Sequence, residues 1–167
     1  DTLERRGALL AALVDHIDLP EQNERLDRIV AANLAEVAGT PSRCRVLVGA
    51  EATMLAPDRC ALDADIARGL DLVVAACNHY HLGPVEKPRH ASPKSFARHH
   101  LEMIGGAACL GFVNIIAHPF LNDYCGADLA QQTLEAYSQT SLRETLKRLA
   151  AGRVAIEINP YRVAGAL

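Results

Sequence analysis

The strongest constraint on this chain is a rhythm: short apolar runs alternate with amphipathic stretches from one end to the other. The runs "ALLAALVDH" (8–16), "CRVLVGAE" (44–51), "DLVVAACN" (71–78), "FVNIIAHP" (112–119) and "RVAIEIN" (153–159) have the length and aliphatic content of buried strands. Between the first two, Leu26, Ile29, Val30, Leu34 and Val37 fall at helical spacing within a helix predicted over Glu21–Val37, closed by Gly39 and Pro41. A short helix is predicted over 63–70. Ser92-Pro93 supplies an N-cap and a first-turn proline for a helix through about Ala108. A helical region over 128–151, broken near Ser138, precedes the fifth run. Strands joined by helices in strict alternation have to run parallel, so the sequence predicts an α/β fold on a parallel sheet, open or closed into a barrel. Nothing in 1–167 reads as a linker, and one domain is expected.

Composition narrows the partners. Half of the residues are hydrophobic but only 4% are aromatic and none is Trp, so the core has to be built from Ala, Val, Leu and Ile. A net charge of -3 without a long charge run offers no electrostatic footprint for nucleic acid or a membrane surface, and a small soluble ligand is the expected partner. Five cysteines without a C-x-x-C pair read as reduced thiols of a cytoplasmic protein rather than as a disulfide framework or zinc ribbon. No apolar stretch approaches the ~20 residues of a membrane span, and nothing reads as a signal peptide. The first residue is Asp, which leaves two expectations open: sequence lost from both ends, or a reduced chain.

The position of the polar residues carries the functional reading. Ligands of parallel α/β folds gather at the carboxyl ends of the strands. Each predicted strand ends in such a group: His16, Glu51, His79, His118, and Glu157 with Asn159. Successive groups lie roughly 30–40 residues apart, one βα unit each, so they come round the same rim. Imidazole and carboxylate together are a ligand set for zinc, manganese or iron, and a carboxylate can bridge two ions. Each residue also has a plainer reading. A lone His at a strand end is more often a hydrogen-bonded loop residue, and Glu51 can merely cap a turn. His90, His99 and His100 are assigned that plainer role: the first lies in a loop, the other two on a predicted helix. Of the nearby pair His79 and His81, strand alternation favours His79 as ligand, with both on one side if the chain stays extended.

"LVDH", "VGAEATM", "DLVVAACNH", "IIAHP" and "AIEIN", in this order and spacing, resemble the PHP (polymerase and histidinol phosphatase) family of metal-dependent phosphoesterases. The resemblance covers nearly the whole chain. It implies a distorted, TIM-like parallel (β/α) barrel with two or three divalent ions at its carboxyl rim, where an activated hydroxide attacks a small phosphate ester. By position it makes His16, Glu51, His79 or His81, and His118 the metal ligands, with Glu51 bridging, and Glu51, His79 and His118 the catalytic group. Asn159 lines the pocket and Arg162 receives the substrate phosphate. The chain departs from the family at three points. The position where the family places its third-strand His is Asn78, one residue before His79; the opening H-x-H motif and the closing D-x-H motif are absent. About five βα units are present where a closed barrel needs seven or eight, so a partial barrel is expected.

A metal-dependent phosphoesterase is therefore the leading expectation. Its rival is a noncatalytic PHP-like domain with an incomplete metal site, acting as a binding or structural module. An amidohydrolase-like barrel acting on C–N bonds uses similar ligands but calls for a lysine on a central strand, and none of the five runs carries one.

Overall fold

A computed structural model describes residues 5–40, 43–121 and 127–158. Its strands are β1 (Leu10–Ile17), β2 (Arg45–Ala56), β3 (Arg59–Cys60), β4 (Leu72–Ala76), β5 (Ile115–Ala117) and β6 (Ala155–Ile156). Its helices are α1 (Asn23–Gly39), α2 (Ala64–Ala67), α3 (Pro93–Ala107), α4 (Ala127–Glu135) and α5 (Gln139–Gly152). A 3-10 turn over Pro20–Gln22 leads into α1. Strands β1, β2, β4, β5 and β6 are neighbours in chain order and all parallel. The chain is thus an α/β protein on a mostly parallel sheet, as the alternation requires.

Local signals set the helix ends. Ser92 Oγ accepts the Ser95 N–H with Pro93 in the first turn of α3, and Ser138 Oγ accepts the Ser141 N–H at the start of α5. That second cap is the break expected near Ser138. Gln22 Oε1 takes the N–H groups of Asp18 (2.7 Å) and Leu19 (3.0 Å), fixing the exit from β1.

The second strand differs from its expectation. It does not stop at Glu51 but continues to Ala56, turns at Pro57-Asp58, and pairs antiparallel with β3 through Met54–Cys60 and Ala56–Arg59. Pro-Asp suits the middle of a tight turn, so the signal was local, but the polar Glu51 and Thr53 interrupt the apolar run. Glu51 consequently lies inside a strand rather than at its end.

Where strand order equals chain order, crossovers of the usual right hand put connecting helices on one face. Leu26 and Val30 of α1, Met103, Ile104 and Ala107 of α3, and Leu149 of α5 join one core with Val48, Ala50, Ala52, Met54, Val73, Ala75 and Ile116 of the sheet. Small residues make the close approach feasible. A Cβ on Gly106 of α3 would overlap the Pro57 carbonyl, and one on Gly49 would overlap that of Leu72. The alternate residues of β2, Glu51 and Thr53 among them, face away from these helices, in register with His16 of β1 and with Val74 and Ala76 of β4. Strand β1 leaves Leu10, Leu13 and Val14 exposed. No helix among the described residues is long and apolar enough to cross a membrane.

Candidate metal centre

Three strands deliver the central group. Glu51 stands on the face of β2 opposite the core residues Ala50 and Ala52, His79 follows β4, and His118 follows β5. One potential ligand atom from each lies within 4.8 Å of the other two, close enough for a single ion to draw all three in with a small closure. Glu51 Oε1 is 3.2 Å from His118 Nε2, while Glu51 Oε2 is 3.9 Å from His16 Nε2. The carboxylate therefore turns one oxygen to each histidine, the orientation of a group able to bridge two ions. His16, far more exposed than the others, belongs to this edge rather than to the three-residue group.

The electrostatics tie these side chains together. The His118 hydrogen bond holds the Glu51 carboxyl below the usual carboxylate range, against burial, which acts to raise it. The same bond, supported by the charges of Glu51 and Glu157, raises His118 above the ordinary imidazole value. Burial lowers His79, helped by His118 and opposed by Asp18 and Glu51, so its ring favours the neutral form a metal ligand needs. The rings of His79 and His118 stack with centroids 5.6 Å apart. His118 Nδ1 is buried without a hydrogen-bond partner, so this imidazole has bonding capacity that the surrounding protein leaves unused.

His118 is held in a strained backbone. Its φ of 28° lies in the left-handed region, and the following Pro119 narrows its choices further. Such a conformation costs on the order of 1–3 kcal/mol and persists only where its surroundings fix it. Here Glu157 Oε2 accepts the His118 N–H at 2.7 Å, and the His118 carbonyl accepts from Leu121 N–H at 3.0 Å and from Asn78 Nδ2 at 3.1 Å. Glu157, expected at a strand end, thus serves the backbone of His118.

Asn78, just before His79, has a structural task of its own. Its side chain is fully buried and spans to the carbonyls of His118 and Leu121, so it fastens the β5 exit rather than facing the centre. The chain turns immediately afterwards, with Tyr80 N–H to Asn78 O at 2.8 Å and Leu82 N–H to His79 O at 3.0 Å. It does not stay extended, so simple alternation does not carry from His79 to His81. His81 is exposed, its ring centroid 5.3 Å from that of His79, and it is not one of the three converging residues. Asn159 and Arg162 lie outside the described residues.

Sequence reasoning missed Asp18 and Thr53. Thr53 Oγ1 lies 2.7 Å from both His79 Nδ1 and Asp18 Oδ1. The signal for Thr53 was its i+2 relation to Glu51, hidden by ending the strand too early. Next to this centre a cavity of about 310 Å³ between β1 and α1 is lined by Asp15, His16, Asp18, Gln22 and Arg25. The plainer role assigned to His99 and His100 agrees with their packing: both are buried on α3 and bonded to tyrosines.

Compared with protein-family models, the chain matches none, and no curated protein is similar enough to count as a relative.

Proposed function

We propose that the chain is a PHP-like, metal-dependent hydrolase of phosphate esters, built on part of a TIM-like (β/α) barrel. The observation that carries this reading is the convergence of Glu51, His79 and His118 from adjacent parallel strands onto one point, with a glutamate whose second oxygen faces His16. Strand order equal to chain order and helices on one face favour an arc of a barrel over a doubly wound sheet. Zinc, manganese or iron suits the nitrogen and oxygen donors, and such an ion supplies Lewis acidity and an acidified water for attack on phosphorus.

The protein's own residues do the rest. Glu51 contributes negative charge and, through its two oxygens, fixes the spacing between the His118 and His16 positions. His79 and His118 contribute neutral nitrogen donors, the second from a backbone clamped by Glu157. Arg25, in the adjoining cavity, is suited to receive the anionic end of a substrate through a bidentate contact.

The test begins with metal analysis of the purified protein and hydrolysis of an aryl phosphate with added zinc, manganese or iron. Replacing Glu51 and His118 together with Ala is expected to remove the metal and the hydrolysis. Metal retained at the wild-type stoichiometry after that double substitution sinks the site; metal lost with no hydrolysis in the wild type leaves a noncatalytic metal-binding module.

A further inference from the structure

Two residues outside the ligand set converge on one nitrogen of His79. Thr53 is almost wholly buried on β2, two positions beyond Glu51 on the same face, and its carbonyl is tied to the Ala61 N–H at 2.9 Å. Asp18 lies just past the end of β1, its own N–H held by Gln22 Oε1. Thr53 Oγ1 is 2.7 Å from Asp18 Oδ1 and 2.7 Å from His79 Nδ1, while Asp18 Oδ1 and His79 Nδ1 are 3.5 Å apart.

We infer that Asp18 and Thr53 are positioning residues that select the tautomer of His79, directing its Nε2 lone pair to the metal centre. The argument is proton counting. A hydroxyl has one proton to give, and a carboxylate only accepts. With the Thr53 proton committed to Asp18, Thr53 Oγ1 can only accept, so the partner it faces at 2.7 Å has to be His79 Nδ1–H. In a neutral imidazole that leaves the acceptor lone pair on Nε2. Were the Thr53 proton given to His79 instead, Nε2 would carry the hydrogen and could not ligate an ion without losing it. Asp18 therefore acts on the ring through Thr53, and a change at Asp18 should reach a nitrogen beyond it. Tautomer fixing by an outer partner typically changes metal affinity 10–100-fold.

The metal half of this inference rests on the centre proposed above; the tautomer half does not. The experiment separates them by using metal-free protein with 15N-labelled histidine, with His79 assigned by its loss in His79→Gln. Two-bond nitrogen–proton correlations at about pH 8 are expected to show the Nδ1–H form in the wild type. Asp18→Ala, at a side chain one-third exposed, frees the Thr53 proton for Nδ1 and is expected to move His79 to the Nε2–H form. Thr53→Val leaves Nδ1 facing the acceptor-only Asp18 carboxylate and is expected to keep the Nδ1–H form, as is Thr53→Ser. Cobalt titration is expected to show a 10–100-fold loss of affinity in Asp18→Ala, with Thr53→Ser within about threefold of wild type. An Nε2–H ring in the wild type, or a tautomer indifferent to Asp18→Ala, overturns the inference. Failure of the wild type to bind cobalt while the tautomer follows Asp18 supports the relay and defeats only the metal reading.

Discussion

Two pairs of histidines, one on a helix and one at strand ends, keep different company. His99 and His100 sit on α3, His99 bonded to Tyr80 Oη at 3.1 Å and near Glu86 at 3.4 Å, and His100 to Tyr137 Oη. His79 and His118 leave strand ends and meet carboxylates, either directly, as His118 meets Glu51, or through Thr53, as His79 meets Asp18. A phenol and an apolar wall make His100 a neutral core residue whose pKa is driven down to about 3, by burial first and by His99 and His118 second. A carboxylate partner makes His118 the opposite, an imidazole that holds its proton more tightly than usual. Between His100 and His118 the residue type is the same; what differs is whether the bonded neighbour is a phenol or a carboxylate.

The sharpest way to break this contrast is to remove one imidazole from each group. His79→Ala deletes a donor outright, and the affinity for zinc or cobalt should fall by more than the 10–100-fold typical of an outer partner. His100→Asn should change that affinity less than about twofold per folded molecule. Equal losses from the two variants in a chelator-competition titration would show that the α3 cluster takes part in the site after all.

Stability against pH should separate the groups next. His100 is completely buried and neutral in the folded chain, with its folded pKa near 3 and an ordinary value of about 6.5 when unfolded. A depressed imidazole pKa means that the unfolded chain binds the proton first. Its stabilising effect is therefore fully present above about pH 6.5 and is lost as pH falls toward 3. The cost by pH 4 is on the order of 3 kcal/mol. Urea melts between pH 7 and 4 should show this slope in the wild type and a shallower one in His100→Asn. Equal slopes would place the buried proton uptake elsewhere.

Much of the scaffold was legible because it follows from periodicity. Leu26 and Val30 betray the inward stripe of α1, and the Ser92-Pro93 and Ser138 caps mark helix starts to within a residue or two. The hairpin of β2 and β3 was not legible, since Glu51 and Thr53 look like a strand ending when they are polar residues on the one face that helices do not cover. The strand-end histidines could be found by position alone. What position could not supply was direction: Asn78 against His79 is decided by a turn that ends β-alternation, and the role of Asp18 by a contact across 35 residues of chain.

Packing offers a third test, because α3 carries the tyrosine-bonded histidines and touches the β2 hairpin through a residue without a side chain. Gly106→Ala would drive a methyl into the Pro57 carbonyl, and neither helix nor turn can yield without moving others. Overpacking of this kind typically costs about 1–3 kcal/mol. Denaturant midpoints should drop accordingly while metal affinity, measured under conditions where the variant is folded, stays within about twofold of wild type. A parallel loss of affinity would mean that the register of α3 against β2 also sets the spacing of Glu51 and His118.

The smallest expected effect is a proton count. In the metal-free chain the Glu51 carboxylate and the raised His118 share a hydrogen bond, so near the ordinary imidazole pKa a proton is retained that an ion has to displace. Titration calorimetry in buffers of different ionisation enthalpy should therefore report release of up to about one proton per ion near pH 6.5, declining as pH rises through the His118 value. Affinity should rise with pH over the same interval, since the proton competes with the metal. In Glu51→Gln the carboxylate that raises His118 is gone, so the release is expected to shrink and its midpoint to move to lower pH. Retention of the full release in Glu51→Gln would assign the proton to another group and detach His118 from its carboxylate in solution. Agreement would show that the contrast between His118 and His100 is set by one hydrogen bond, the contact between Glu51 Oε1 and His118 Nε2.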